Sequence, residues 1–327
     1  MLKTGVADVP PGAMTVHGKT DGMSRRRARG RPIDGILPLD KPRGMSSNEA
    51  LQAAKRLLNA RKAGHTGSLD PLATGVLPIC LGEATKLSSY LLESDKTYEF
   101  DCRLGWSTST GDSEGSVLRE APVPALEPES VNAVLRKFVG EIDQVPPMHS
   151  AVKHQGKRLY RLAREGIEVE REPRRVRISD LELLEIGDEC LSLRVTCSKG
   201  TYVRVLAADI AAALDTEGHV SALRRTRAGP FGVEDLVTLD RLQAAMEAGE
   251  PAESLLQPVD AALGDWPAVE LTSDTAWYFR QGQAVLVPQA PLEGRVRVYR
   301  EEGAFLGLGE MLDDGRVAPR RLLRLAG

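Results

Sequence analysis

The chain has 327 residues, 42% of them hydrophobic and 4% aromatic, with 43 lysines and arginines against 46 aspartates and glutamates, a formal net charge of −3. That length holds one large domain and a small one around a proper core. No apolar run is long enough to span a bilayer as a helix and no signal-peptide pattern opens the chain, so a soluble cytoplasmic protein is expected.

The four cysteines, Cys80, Cys102, Cys190 and Cys197, show no C-x-x-C pair, which argues for buried thiols rather than a disulfide framework or a zinc site. The net charge speaks against a global basic footprint for nucleic acid. Local clusters speak for one: Arg25, Arg26 and Arg27 with Arg29 and Arg31, residues 153–164, residues 171–177, Arg224, Arg225 and Arg227, and Arg320, Arg321 and Arg324.

Residues 1–32 are rich in Gly, Pro, Ser and Arg without apolar periodicity and read as a disordered basic tail. Met23, just before that arginine run, is a candidate translation start, which N-terminal mass spectrometry of native protein would test. Order is expected from the short strand 33–39, followed by the turn Asp40-Lys41-Pro42-Arg43-Gly44. Ser46 with Glu49 three residues on is a capping-box pattern opening a helix to about Ala60. Gly64-His65-Thr66-Gly67-Ser68-Leu69-Asp70-Pro71-Leu72-Ala73-Thr74-Gly75 carries three glycines in twelve residues and reads as a loop. Pro71 forces Asp70 out of the helical region, so this carboxylate hangs from stiff backbone.

Val76–Leu81 reads as a buried strand, Glu83–Leu92 as a helix, and 96–102 as an alternating strand that puts Tyr98 and Phe100 on one face. A Ser/Thr/Gly-rich loop, 106–115, precedes a helix over 128–139. The segment from Gln144 to Arg171, broken by Pro146-Pro147, reads as a surface excursion with a short basic helix over 158–165. Two strands, 175–186 and 190–198, flank a Gly187-Asp188 turn, and the second alternates as a sheet with one wet face does. Lys199-Gly200-Thr201-Tyr202-Val203-Arg204 then opens a helix, so Tyr202 and Arg204 sit at a strand-to-helix junction. The run 220–226 receives no element, 239–248 reads as a helix, and from about Gly264 short strands with an Asp314-Gly315 hairpin signal read as a small β-barrel.

The run from Gly64 to Pro78 resembles the signature of the TruB family, the tRNA pseudouridine-55 synthases. The resemblance covers about Ile33 to Leu323. It implies an α+β fold: a mixed, mainly antiparallel sheet with flanking helices over 33–263, an RNA-contacting insert at about 144–174, and a PUA-like RNA-binding β-barrel over 264–327. It also implies a monomer that isomerises the T-loop uridine of tRNA, binding the T arm. Isomerisation changes no oxidation state and brings in no outside group, so neither cofactor nor metal is expected. One ionised carboxylate is needed, and the resemblance assigns it to Asp70; attack on the sugar, addition to the base and removal of a ribose proton all fit that role. By the same resemblance Arg204 pairs with Asp70, Tyr98 stacks on the flipped base, Tyr202 lines the pocket, Leu223 is an apolar wall on the uracil, His65 fills the space the base leaves, and Lys41 supports the site. An RNA-binding protein that helps tRNA fold, and a guide-dependent relative acting on ribosomal RNA, are the alternatives that use the same surfaces.

Overall fold

The computed structural model describes residues 30–150, 152–264 and 266–324; most of the expected basic tail, with Met23, lies outside them. Strand β1 (Gly35–Lys41) leads into helix α1 (Ser47–Leu57), whose first turn closes the expected capping box between Ser46 and Glu49. Then come β2 (Ala63–His65), β3 (Thr74–Leu81), α2 (Ser88–Glu93) and β4 (Lys96–Leu104). A small hairpin, β5 (Trp106–Thr108) and β6 (Val117–Glu120), interrupts what reads as one loop, and α3 (Pro128–Leu135) is followed by β7 (Gly140–Gln144). The insert contains β8 (Lys153–His154), β9 (Lys157–Arg158) and α4 (Leu159–Arg164). After it run β10 (Arg174–Gly187), β11 (Cys190–Cys197), α5 (Val203–Ala213), β12 (Gly218–Ala228) and α6 (Leu239–Glu247).

Seven strands form the main path of the large sheet in the order β1-β3-β12-β4-β11-β10-β7, with β2 added on β3. All pairings are antiparallel except β3 with β12, which meet parallel at Thr74 opposite Arg224 and Gly75 opposite Arg225. This mixed, mainly antiparallel sheet is the α+β architecture the sequence implies. Its apolar face carries α1, α3 and α5, so that Leu51, Leu135, Leu206 and Ile210 pack with Leu77, Phe100 and Leu193 in one core. A second sheet of five strands, β13 (Ala268–Leu271), β14 (Val285–Leu286), β15 (Arg295–Arg300), β16 (Ala304–Met311) and β17 (Arg316–Leu322), has the order β13-β15-β16-β17-β14. With α7 (Ser273–Arg280) it builds its own core around Phe279, Val296, Val298 and Val317. The two parts share a third apolar cluster, in which Ile36, Val76 and Cys80 of the large sheet meet Phe305, Leu308 and Leu323. Among the described residues no helix is long and apolar enough to cross a membrane.

Two departures from the sequence reading have physical causes. The expected helix over 83–92 is divided into a 3-10 turn, Gly82–Lys86, and the short α2. Thr85 and Ser88 hydroxyls donate to the carbonyls of Gly82 and Thr85, a local competition that tightens the helix. The run left without an element is β12, an interior strand of the large sheet. Bulges at Val220/Ala222 and Arg225/Arg227 break its two-residue alternation, and its arginines disguise it as surface.

Candidate active site

The loop between β2 and β3 carries Asp70, and it is pinned from several sides. Ser47, at the start of α1, accepts from the Leu69 amide at 2.7 Å and donates to the Leu69 carbonyl at 3.0 Å. Lys41, fully buried at the end of β1, donates through Nζ to the carbonyls of Ala73 at 2.6 Å, Pro42 at 2.8 Å and Pro71 at 3.4 Å. Burial pushes the Lys41 ammonium down to about 8, with Asp70 and Glu114 opposing that fall. The Gly44 amide donates to Pro71 and the Ala73 amide to Asp70. The turn around Pro71 is therefore held as a rigid bracket, which fits the stiffness expected from the Asp-Pro pair.

Arg204, in the first turn of α5, has only 5% of its side chain exposed. Its Nε lies 2.9 Å from Asp70 Oδ2, its Nη1 donates to the Thr110 carbonyl at 2.7 Å, and its Nη2 donates to the His149 carbonyl at 2.8 Å. Each guanidinium nitrogen thus has its own acceptor, a use of the planar fork that lysine cannot copy. Asp112, also 5% exposed, sits 3.9 Å from the Arg204 Nε. Although 41% of the Asp70 side chain opens outward, the surrounding protein pushes its carboxyl above the ordinary carboxylate range. The Arg204 guanidinium pulls it back down, and the Asp112 carboxylate adds to the rise.

Asp70 and Arg204 face an open cleft of about 530 Å³, whose walls also include Tyr98, Tyr202 and Leu223. Tyr98 comes from β4 and Leu223 from β12, adjacent strands in the sheet. Tyr202 caps α5, and Gln144 at the end of β7 grips its backbone twice, accepting from the Tyr202 amide at 3.0 Å and donating to its carbonyl at 3.4 Å. Burial raises the Tyr98 phenol above its usual value, with Arg225 opposing. Two expected site residues lie off the cleft wall. Lys41 is behind the loop as its support, and His65 is in β2, where its Nδ1 is buried without a hydrogen-bond partner among the described residues and burial lowers its basicity.

Family comparisons match this frame along nearly its whole length. The description "TruB family pseudouridylate synthase (N terminal domain)" matches residues 55–203, "tRNA pseudouridylate synthase B C-terminal domain" matches 204–264, and "Pseudouridine synthase II TruB, C-terminal" matches 267–323. A tRNA pseudouridine synthase B of Nitrosococcus oceani is 55% identical over 300 residues, 91% of this chain and 97% of the relative. The chain belongs to the TruB family. A Pseudomonas aeruginosa protein of the same name is 53% identical over 90% of this chain and 97% of its own. A solved structure described as a Cbf5-Nop10-Gar1 complex is 30% identical, with a TM-score of 0.66 over 85% of this chain and 78% of that one. Another, described as an H/ACA RNP bound to a substrate RNA containing 2'-deoxyuridine, is 25% identical with a TM-score of 0.68 over 93% of both.

This TruB-family chain also builds its cleft from residues that the motif reading passed over. Ser47 and Gln144 act on backbone, and no side-chain pattern in sequence announces such contacts. Arg225 stands in a run that reads as a phosphate-binding cluster, yet it is 1% exposed and lines the cleft, while its neighbour Arg224 is held by Asp40 at 3.1 Å through both nitrogens. The signal for Arg225 was its spacing: on a strand, residues two apart share a face, so it follows Leu223. Lys96, another lining residue, spends its ammonium on the carbonyls of Leu91 and Leu92, at 3.0 and 2.8 Å, and of Ser94; burial and Arg225 push it down to about 8.

Proposed function

We propose that this chain isomerises the uridine at position 55, in the T loop of tRNA, to pseudouridine, with Asp70 as its catalytic carboxylate acting on a base flipped into the cleft. The ion pair of Asp70 with Arg204 at 2.9 Å, on the wall of a cleft that also presents Tyr98, carries this reading. The names of the relatives support tRNA as substrate, and membership of a pseudouridylate synthase family supports the reaction.

The chemistry asks little beyond positioning. The bond from ribose C1' to uracil N1 breaks, the base turns, C1' bonds to C5, and the proton lost from C5 is balanced by one gained at N1. An ionised carboxylate close to C1' and the base is the reactive group required. Arg204 keeps Asp70 ionised against the desolvation that favours its protonated form. Extruding a base costs a few kcal/mol, and stacking on an aromatic face returns about 1–3 kcal/mol, the part given to Tyr98. Tyr202 and Leu223 complete the grip on the uracil while it turns. A cleft of about 530 Å³ is in the range of small-ligand pockets, about 300–1,000 Å³. Lys41 serves by holding the Asp70 loop, and His65, beside the cleft, fills the space that the base leaves in the RNA.

In this reading 33–263 is the catalytic unit, its insert at about 144–174 closes on the T arm, 264–327 is a PUA-like RNA-binding unit, and the protein works as a monomer in the cytoplasm. The test is conversion of an unmodified tRNA transcript and of an isolated T-arm hairpin, mapped chemically, by wild type and Asp70→Asn. Wild type converts position 55 in both RNAs; the variant converts neither and still binds tRNA. Equal conversion by the two proteins removes Asp70 from its role, and modification elsewhere in the tRNA removes the T loop.

A further inference from the structure

Arg225 is among the largest side chains that the fold buries completely, and no carboxylate among the described residues pairs with it. Burying a charge without a counter-charge is unfavourable, and an apolar side chain would fill the same space at less cost. What the guanidinium supplies is a rigid fork with donors pointing two ways. Its Nε donates to the Val76 carbonyl at 2.6 Å, on the strand leaving the Asp70 loop, and its Nη2 donates to the Gly67 carbonyl at 2.9 Å, where the chain enters that loop. The carbon at the centre of the guanidinium lies 5.9 Å from the centroid of the Tyr98 ring.

Local backbone is shaped for these approaches. Gly67 has φ +73, and a Cβ there would come within 3.3 Å of Arg225 Nη1. Gly75 has φ +98, and a Cβ there would stand 2.2 Å from the Arg225 carbonyl oxygen. In register, Arg225 lies opposite Gly75 on one side and Tyr98 on the other. One residue thus touches the entry of the Asp70 loop, its exit, and the ring facing the cleft.

We propose that Arg225 is a positioning residue of the active site, whose fork sets the spacing between the Asp70 loop and the Tyr98 ring. The inference rests on the catalytic reading of Asp70 and adds to it a residue whose fork is spent on the loop's backbone rather than on the carboxylate. A lysine at this position keeps the charge but cannot reach Val76 and Gly67 together, so Arg225→Lys separates geometry from charge.

Arg225→Lys and Arg225→Met are compared with wild type and Asp70→Asn in single-turnover kinetics on saturating tRNA, in KM for tRNA, and in amide hydrogen exchange. In both Arg225 variants the single-turnover rate falls about 10–100-fold, the loss expected of a reacting group misplaced by a fraction of an ångström to an ångström, while KM stays within about twofold. Exchange in 66–73 accelerates while α5 and the small sheet keep their protection. A wild-type rate in Arg225→Lys overturns the proposal in favour of charge alone. Unchanged exchange in 66–73 overturns it outright, and so does a deficit confined to KM. Should Arg225→Met fail to fold, the lysine variant decides. Activity in Asp70→Asn defeats the catalytic reading by itself, and loop exchange still reports whether Arg225 holds the loop.

Discussion

Replacing Arg204 with methionine removes the cation beside Asp70 while keeping much of the side-chain volume. Two unit charges 2.9 Å apart attract by about 6 kcal/mol at an effective dielectric of about 20 and by about 1.4 kcal/mol in bulk water. Because 41% of the Asp70 side chain reaches solvent, screening places the interaction toward the lower figure, about 1–2 kcal/mol or a factor of about 5–30 in the ionisation equilibrium. Burial already holds the Asp70 carboxyl high, and Arg204 is the chief force lowering it. The variant therefore ionises Asp70 only at higher pH, and the acid limb of kcat/KM moves up. Measured against wild type, its rate deficit is larger at about pH 6 than at about pH 8, where the carboxylate recovers its charge without help. Stability follows the same linkage. A carboxyl with a raised folded pKa leaves the native state holding the extra proton between the unfolded and folded values, so stability falls as pH rises through that window. The fall is steeper in Arg204→Met. Arg204→Lys keeps the acid limb near wild type but loses the fork onto Thr110 and His149, with a destabilisation of about 1–3 kcal/mol for each carbonyl left bare. An unmoved acid limb in Arg204→Met, with a deficit independent of pH, would refute control of Asp70 ionisation by Arg204.

Lys41→Met strips the Asp70 bracket of its buried donor and lowers stability by about 2–5 kcal/mol in urea titrations. Because Lys41 sits at about 8 in the fold against 10.5 for the free side chain, the unfolded chain holds the extra proton between those values, so wild-type stability rises with pH there and the variant loses part of that rise. Gly75→Ala drives a Cβ into the Arg225 carbonyl at a φ that side chains resist, and costs about 2–4 kcal/mol; an unchanged urea midpoint would show that β3 and β12 are not so closely joined. Lys157→Ala and Arg158→Ala, on exposed insert residues without a carboxylate partner among the described residues, each reduce the slope of log K for tRNA against log salt by about 0.7–1. A slope equal to wild type would place the insert away from the phosphates.

Features written in local order were legible in the sequence. The α1 capping box was set by Ser46 and Glu49, and the alternation of Leu191, Leu193, Val195 and Cys197 became a strand with that face buried. The Asp70 loop was recognisable because its glycines permit tight turns and Pro71 restricts the backbone, whatever surrounds them. Contacts that depend on tertiary approach were not. Nothing near Ser47 in sequence says that it meets Leu69, and nothing in three closely spaced arginines says that Arg225 is buried, Arg224 paired and Arg227 on the surface. Strand alternation, visible only once β12 is known to be a strand, separates Arg224 from Arg225, and the bulge between Arg225 and Arg227, a property of the pairing with β4, turns Arg227 outward.

The same sorting resolves the charge problem that the composition raised. A net negative chain attracts RNA only if its cations are freed where the RNA lies. Arg175 is engaged by Glu141 and Asp143, Arg171 by Glu168, Arg320 by Glu310 and Arg224 by Asp40, while Arg204 and Arg225 are turned inward. Lys153, Lys157, Arg158, Arg161 and Arg164 of the insert have no carboxylate partner among the described residues. The segment rooted at Gln144 and His149 thus gathers five cations that no carboxylate engages among the described residues. That root is where Gln144 grips the backbone of Tyr202 and the His149 carbonyl receives Arg204. The insert's root is therefore joined directly to two cleft residues, one of them the partner of Asp70.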